Sequence, residues 1–245
     1  MSRYRSQWYD REGDQYNERR YGSAVSQEYF ARRTRHLREA IHTTFPDPSS
    51  RIDVLEVACG TGLTLRELAS DPTIHATGVD VSITMLRQAA QATRGLPKPV
   101  SLLHAAVPGL PFRPASFDAI YATRFIYGFS DVNKAHVISE LQGLLRPGGI
   151  LVIEFYARSA ARWISYIRRH NHPTARRKLF VRGTPYPTAR TLHGAGTVRI
   201  VLLGLVAHTT LRRIIGDSAL RRLMARGDRL PSWLVKSYFS VWRKV

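Results

Sequence analysis

Two glycines and an aspartate stand where a nucleoside would be held. The run Val54-Leu55-Glu56-Val57-Ala58-Cys59-Gly60-Thr61-Gly62 ends in a small-residue turn, and Asp80 follows twenty residues after Gly60. Glycine lets the backbone approach a ligand without an intervening Cβ and allows positive φ where a tight turn needs it. A carboxylate at the end of the next strand can accept hydrogen bonds from both ribose hydroxyls. Glu56, inside the strand end, is a second carboxylate, and burying it without a partner would be costly.

The flanking elements must put these residues together. Ile52–Val57 is apolar and β-branched, the pattern of a buried parallel strand, and Leu63–Ala69 reads as the helix after the turn. Residues 74–79 form a second strand that stops at Asp80, and 82–93 a helix with Met85, Leu86 and Ala89 on its apolar side. Further strands are expected over 100–104, 119–123, 150–153 and 197–203, with a closing antiparallel strand over 237–242. A helix over 133–145 enters the fifth strand through a Pro147-Gly148-Gly149 turn, and 27–44 is amphipathic, with Tyr29, Phe30, Leu37 and Ile41 available to one face. Alternating strands and helices imply an α/β fold: a Rossmann-like, doubly wound sheet of seven strands, mostly parallel, with helices on both faces. The ligand belongs at the carboxyl ends of the early strands, where strand order reverses. Residues 1–50 read as an N-terminal lid or helical segment, 51–155 as the binding core, and 156–245 as a basic, substrate-facing insertion that completes the sheet within a single domain.

A glycine-rich strand-turn-helix alone also suits dinucleotide enzymes, but Leu65 sits where their third glycine would be. Four segments in order carry a more specific likeness: Val54–Gly62; Gly78-Val79-Asp80-Val81-Ser82; Leu110-Pro111-Phe112 with Ser116-Phe117-Asp118; and Leu144-Leu145-Arg146-Pro147-Gly148-Gly149. Together they resemble the class I S-adenosylmethionine-dependent methyltransferases, in their Methyltransf_11-like, small-molecule branch. That resemblance implies S-adenosyl-L-methionine as cofactor. It places Ala58, Cys59, Gly60, Thr61 and Gly62 at the methionine portion and Asp80 on the ribose. Val81 and Met85 fall against the adenine face. Glu56 either orders the turn or reaches the methionine amino group through water. Such enzymes usually carry an Asp ahead of L-P-F that accepts from the adenine amino group; this chain has Ala106, which leaves that edge to backbone groups at Ala105 and Ala106. Thr123 lies at the sulfonium end, and Arg124 and Tyr127 face the incoming substrate. Tyr127 and His193 are candidates for orienting or deprotonating an acceptor, with ordinary packing the alternative for each. Tyr16 and Tyr21, from an aromatic lead-in, are further substrate candidates.

Composition narrows the rest. At 245 residues and 44% hydrophobic content the chain can bury a sizeable core. No apolar run is long enough to cross a bilayer and no signal-like segment opens the chain, so a cytoplasmic protein is expected. Cys59 is the single cysteine, and no His/Cys/Asp spacing suggests a metal. Of 37 lysines and arginines, 19 fall from residue 155 onward against only Asp217 and Asp228, so that tail holds +17 of the net +19. A one-sided field of this size favours an anionic partner. The expectation is a methyltransferase acting on a small, anionic metabolite of bacterial secondary-metabolite type: a sugar, nucleoside or lipid-linked intermediate. Peripheral contact with an anionic membrane suits a lipid or quinone acceptor. Nucleic acid is disfavoured because no RNA-binding module signature is present. Two alternatives remain: the same fold catalysing a reaction other than methylation, and a non-catalytic cofactor-binding protein.

Overall fold

The computed structural model describes residues 15–22, 24–157, 188–189, 191, 197–205, 214–216, 218–220, 222–223 and 235–245. Two helices lead, α1 (Tyr16–Tyr21) and α2 (Ala24–Thr44). Then come β1 (Ile52–Val57), α3 (Leu63–Ala69), β2 (Ile74–Asp80), α4 (Ile83–Ala92), β3 (Ser101–His104) and β4 (Phe117–Ala122). A 3-10 turn at Ile126–Gly128, α5 (Asp131–Leu144), β5 (Leu145–Tyr156), β6 (Thr197–Leu205) and β7 (Val235–Arg243) follow.

The strands form one seven-stranded sheet in the order β3-β2-β1-β4-β5-β7-β6, mostly parallel and antiparallel at its end. Strand β1 lies between β2 and β4, so the strand order reverses beside it, and the crevice at its carboxyl end is where the topology puts a ligand. Strands β1 and β4 are buried nearly throughout because helices cover both faces of a parallel sheet. The edge strand β3 is short and partly exposed.

The described residues up to Thr123, with Ser139–Val152 and Arg243–Val245, make one compact unit; those of Arg124–Ile138 and Ile153–Trp242 make a second. In the first, Leu37, Ile41, Val54, Leu55, Leu65, Leu68 and Ile120 are fully enclosed. At the amino ends of the strands Arg146 donates to Asp118 at 2.7 Å and to Asp53 at 3.0 Å, fastening the start of β5 to β1 and β4. In the second, Phe155 stacks on Tyr238 at 5.7 Å within a buried aromatic layer.

One expectation changes. The Pro147-Gly148-Gly149 segment belongs to β5 rather than to a turn before it. The Gly148 amide donates to the Lys244 carbonyl and the Lys244 amide to Gly149, so pairing begins at once. Gly148 takes φ +78°, which lets the strand kink there, and a side chain on Gly149 would strike the Asp118 and Arg146 carbonyls at 2.8 and 2.9 Å.

Candidate functional site

The turn after β1 is built almost wholly from backbone. Ala58, Gly60 and Gly62 have φ of +57°, +56° and +73°, so the chain reverses within five residues before α3 begins. Ala58 adopts the left-handed region with a Cβ, at a cost of about 1 kcal/mol relative to glycine. The two glycines have different jobs. A Cβ on Gly60 would meet nothing within 4 Å, so open space lies over it, whereas one on Gly62 would sit 2.8 Å from Ala89 of α4. Gly60 therefore borders open space and Gly62 allows α4 to pack closely. Gly78 is a packing glycine too, since a Cβ there would lie 2.7 Å from Leu65 and 3.0 Å from the Cys59 sulfur.

Asp80 meets this turn directly. Its Oδ2 accepts from the Gly60 amide and its Oδ1 from the Ser82 amide, each at 2.9 Å. The Asp80 carbonyl accepts from Ala105 at 3.1 Å, and the Cys59 amide donates to Val79 at 3.0 Å. The loops after β1, β2 and β3 are thus tied together at Asp80, whose carboxylate is largely buried. Ser82 caps α4 by accepting from Met85, which is itself buried, while Val81 is half-buried. Ala105 is half-buried and Ala106 exposed, and the His104 ring bonds the Val81 carbonyl at 3.0 Å.

Glu56 faces the interior. It pairs in register with Gly78 on one side and Tyr121 on the other, so the Tyr121 hydroxyl donates to its Oε2 at 3.0 Å. Burial pushes its pKa up to about 8, although Tyr121, the Arg33 guanidinium and the Leu65 amide pull the other way. Burial also raises the Cys59 thiol well above its ordinary value, which makes it a packing group rather than a nucleophile. Thr61, buried, donates to Asn17 of α1 at 2.6 Å, a bond that brings the N-terminal helix onto the turn. Tyr16 and Tyr21 on that helix are half-buried, Tyr21 against Phe30 in an edge-to-face contact at 5.3 Å.

Thr123, buried, closes the first unit. In the second unit Arg124 has φ +54°, and its amide donates to the fully buried Glu154 at 3.2 Å. Tyr127 packs edge-on against Tyr156 at 5.0 Å. His193 lies outside the described residues, as do residues 1–14 and much of the segment from 156 onward. Among the described residues no group of three or more His, Cys, Asp or Glu is arranged to hold a metal.

Sequence reasoning missed Asn17, Arg33 and Glu154. Two of them left a signal. Arg33 interrupts the apolar stripe of α2, three residues after Phe30 and four before Leu37, and Glu154 interrupts the apolar run of β5. Asn17 left none, since a polar residue in a polar segment carries no pattern.

The arrangement fits S-adenosylmethionine. An open glycine, a carboxylate held at the end of the neighbouring strand and a sheet switch point lie together here, an arrangement that suits a nucleoside. Residues 54–149 match the methyltransferase domain family Methyltransf_25. The O-methyltransferase rstn1 of Aspergillus nomiae is 33% identical over 102 residues, 41% of this chain and 44% of that protein. The ubiquinone/menaquinone biosynthesis C-methyltransferase UbiE of Syntrophotalea carbinolica is 33% identical over 105 residues, 42% of this chain and 43% of that one. The chain therefore spans less than half the length of either relative. The fold is that of the magnesium protoporphyrin IX methyltransferase of Synechocystis, solved with bound S-adenosylhomocysteine: TM-score 0.67 at 12% identity, covering 99% of this chain and 98% of that one. Residues 54–149 of this chain thus carry a methyltransferase domain, and the fold around them is that of the class I S-adenosylmethionine-dependent methyltransferases.

Proposed function

We propose that this protein transfers a methyl group from S-adenosylmethionine to a small acceptor. The observation that carries the reading is Asp80, clasped by the Gly60 amide beside open space at the β1–β2 crevice. Asp80 holds the ribose hydroxyls, the backbone of Ala58–Gly62 the methionine portion, and Val81, Met85, Ala105 and Ala106 surround the adenine. Bound there, the cofactor supplies an electrophilic methyl on a sulfonium. The protein's own contribution is alignment, which in well-oriented reactions is worth about 7–11 kcal/mol of barrier. Arg124 and Tyr127 are the acceptor-side residues, and Tyr127 orients or deprotonates an acceptor hydroxyl when that nucleophile is weak.

The acceptor is a small anionic metabolite, a reading supported by the +17 tail. A quinone-like acceptor presented at an anionic membrane surface is the second reading. It is favoured by the UbiE likeness together with arginines interleaved with Leu, Ile and Trp in the tail. Among the described residues no helix is long and apolar enough to cross a membrane. Isothermal titration with S-adenosylmethionine and S-adenosylhomocysteine tests the site: binding of both at micromolar strength is expected, and binding of neither overturns the assignment. Mass spectrometry of candidate acceptors then tests the reaction, since product without an added methyl would mean that the fold serves another chemistry.

A further inference from the structure

Glu56 is closed in behind the turn. It is almost fully buried and takes the Tyr121 hydroxyl on one oxygen. Its surroundings are those of a strut rather than of a group facing a ligand. Arg33, on α2, is equally buried. The Arg33 Nη2 donates to Thr64 at 3.4 Å, its guanidinium lies 5.4 Å from the centre of the Phe30 ring, and its charge acts on both Glu56 and Tyr121. Leu37 and Ile41, on the same face of α2, show that packing there is satisfied by aliphatic side chains. A buried guanidinium is costly unless its charge has work to do.

Glu56 and Thr64 bracket the turn, one at the end of β1 and the other in the first turn of α3. We propose that Arg33 is a positioning residue for the methionine arm of the cofactor. Acting through both flanks, it fixes the width of the 58–62 turn and so the direction of its backbone amides. Glu56 then supports that turn from behind instead of binding the methionine amino group. This rests on reading the turn as an S-adenosylmethionine cradle.

The test compares two ligands on the full-length protein. S-adenosylhomocysteine carries the amino-acid arm, and 5′-methylthioadenosine shares the adenosine and sulfur but lacks that arm. Arg33→Met should weaken S-adenosylhomocysteine by about tenfold or more while changing methylthioadenosine by less than about threefold. Arg33→Lys, which keeps the charge without the fork, should fall between wild type and Arg33→Met and serves if the Met variant does not fold. Leu37→Ala reports simple loss of packing on the same helix face and should lower Tm without separating the two ligands. Equal weakening of both ligands by the Arg33 variants, or no weakening of either, overturns the proposal. If wild type binds S-adenosylhomocysteine and the variants show no selectivity, only this role fails; if wild type binds neither ligand, the cradle reading fails with it.

Discussion

At the scale of single residues, Asp80 and Glu56 divide the work of two carboxylates by their surroundings. Asp80 is held by two backbone amides at the crevice, so its charge is stabilised where hydroxyl donors can reach it. Asp80→Asn keeps one acceptor oxygen for the turn but weakens the hold on ribose. Affinity for S-adenosylhomocysteine should fall by about 2 kcal/mol, roughly thirtyfold, in a calorimetric titration. A variant that binds within twofold of wild type would remove Asp80 from the site. Glu56 makes a separate prediction about pH. Its folded pKa of about 8 stands above the ordinary value of 4.5, so folding takes up a proton between those limits. The stability gained from the neutral buried form is complete below about pH 4.5 and lost as pH rises through about 8, with a slope of at most about 1.4 kcal/mol per unit. Glu56→Gln lacks that dependence. Its Tm relative to wild type should therefore climb steadily across this window in thermal melts, and a flat difference would mean that Glu56 is ionised when folded.

At the scale of elements, the glycine turn separates binding from packing. Gly60→Ala and Gly62→Ala carry a similar left-handed backbone penalty of about 1–2 kcal/mol. Only the second also drives a methyl group into Ala89. Gly62→Ala should thus lose substantially more Tm, because α4 must move off the turn. Gly60→Ala should keep most of its stability and lose cofactor affinity, since its methyl occupies the open space. Equal losses of Tm would contradict this division. The core elements were legible because each was a short apolar run ended by turn residues: β1, α3 and β2 lie where their patterns put them, β2 reaching one residue further to Asp80. The start of β5 was not legible. Pro147, Gly148 and Gly149 look like a turn locally, and only pairing with Lys244, ninety-six residues beyond Gly148, makes them strand. The beginning of α5 at Asp131 was hidden for a similar reason. Ser130 sets it by accepting from the Lys134 and Asn133 amides, which extends the helix two residues ahead of its hydrophobic pattern. Within the site, the residues of the local motif could be read from spacing. Arg33 and Glu154 could be read only as polar interruptions, because what they do depends on neighbours far away in sequence.

At the scale of the whole molecule, recognisable ancestry and charge fall in different places. The segment that matches the methyltransferase domain ends at residue 149, inside the first 154 residues, which carry +2 of the net charge, and the remaining +17 follows it. On the reading proposed above, cofactor binding falls to the part that matches the domain, and the acceptor is to be sought through the basic part that follows it. A tail of nineteen basic and two acidic residues acts over about one Debye length, roughly 8 Å at physiological salt. Its consequences should be steeply salt-dependent. If it serves a membrane-bound acceptor, the protein should pellet with phosphatidylglycerol-containing vesicles at low ionic strength, each engaged basic residue contributing about 1 kcal/mol. It should be released near ~0.5 M salt, where the Debye length has shrunk to a few ångströms, and should ignore vesicles of phosphatidylcholine alone. Pelleting that survives high salt would point to insertion of Leu, Ile and Trp side chains instead of attraction to headgroups. Failure to bind anionic vesicles even at low salt would sink the membrane reading and leave the basic tail to steer a soluble anionic acceptor, whose KM would then rise with ionic strength.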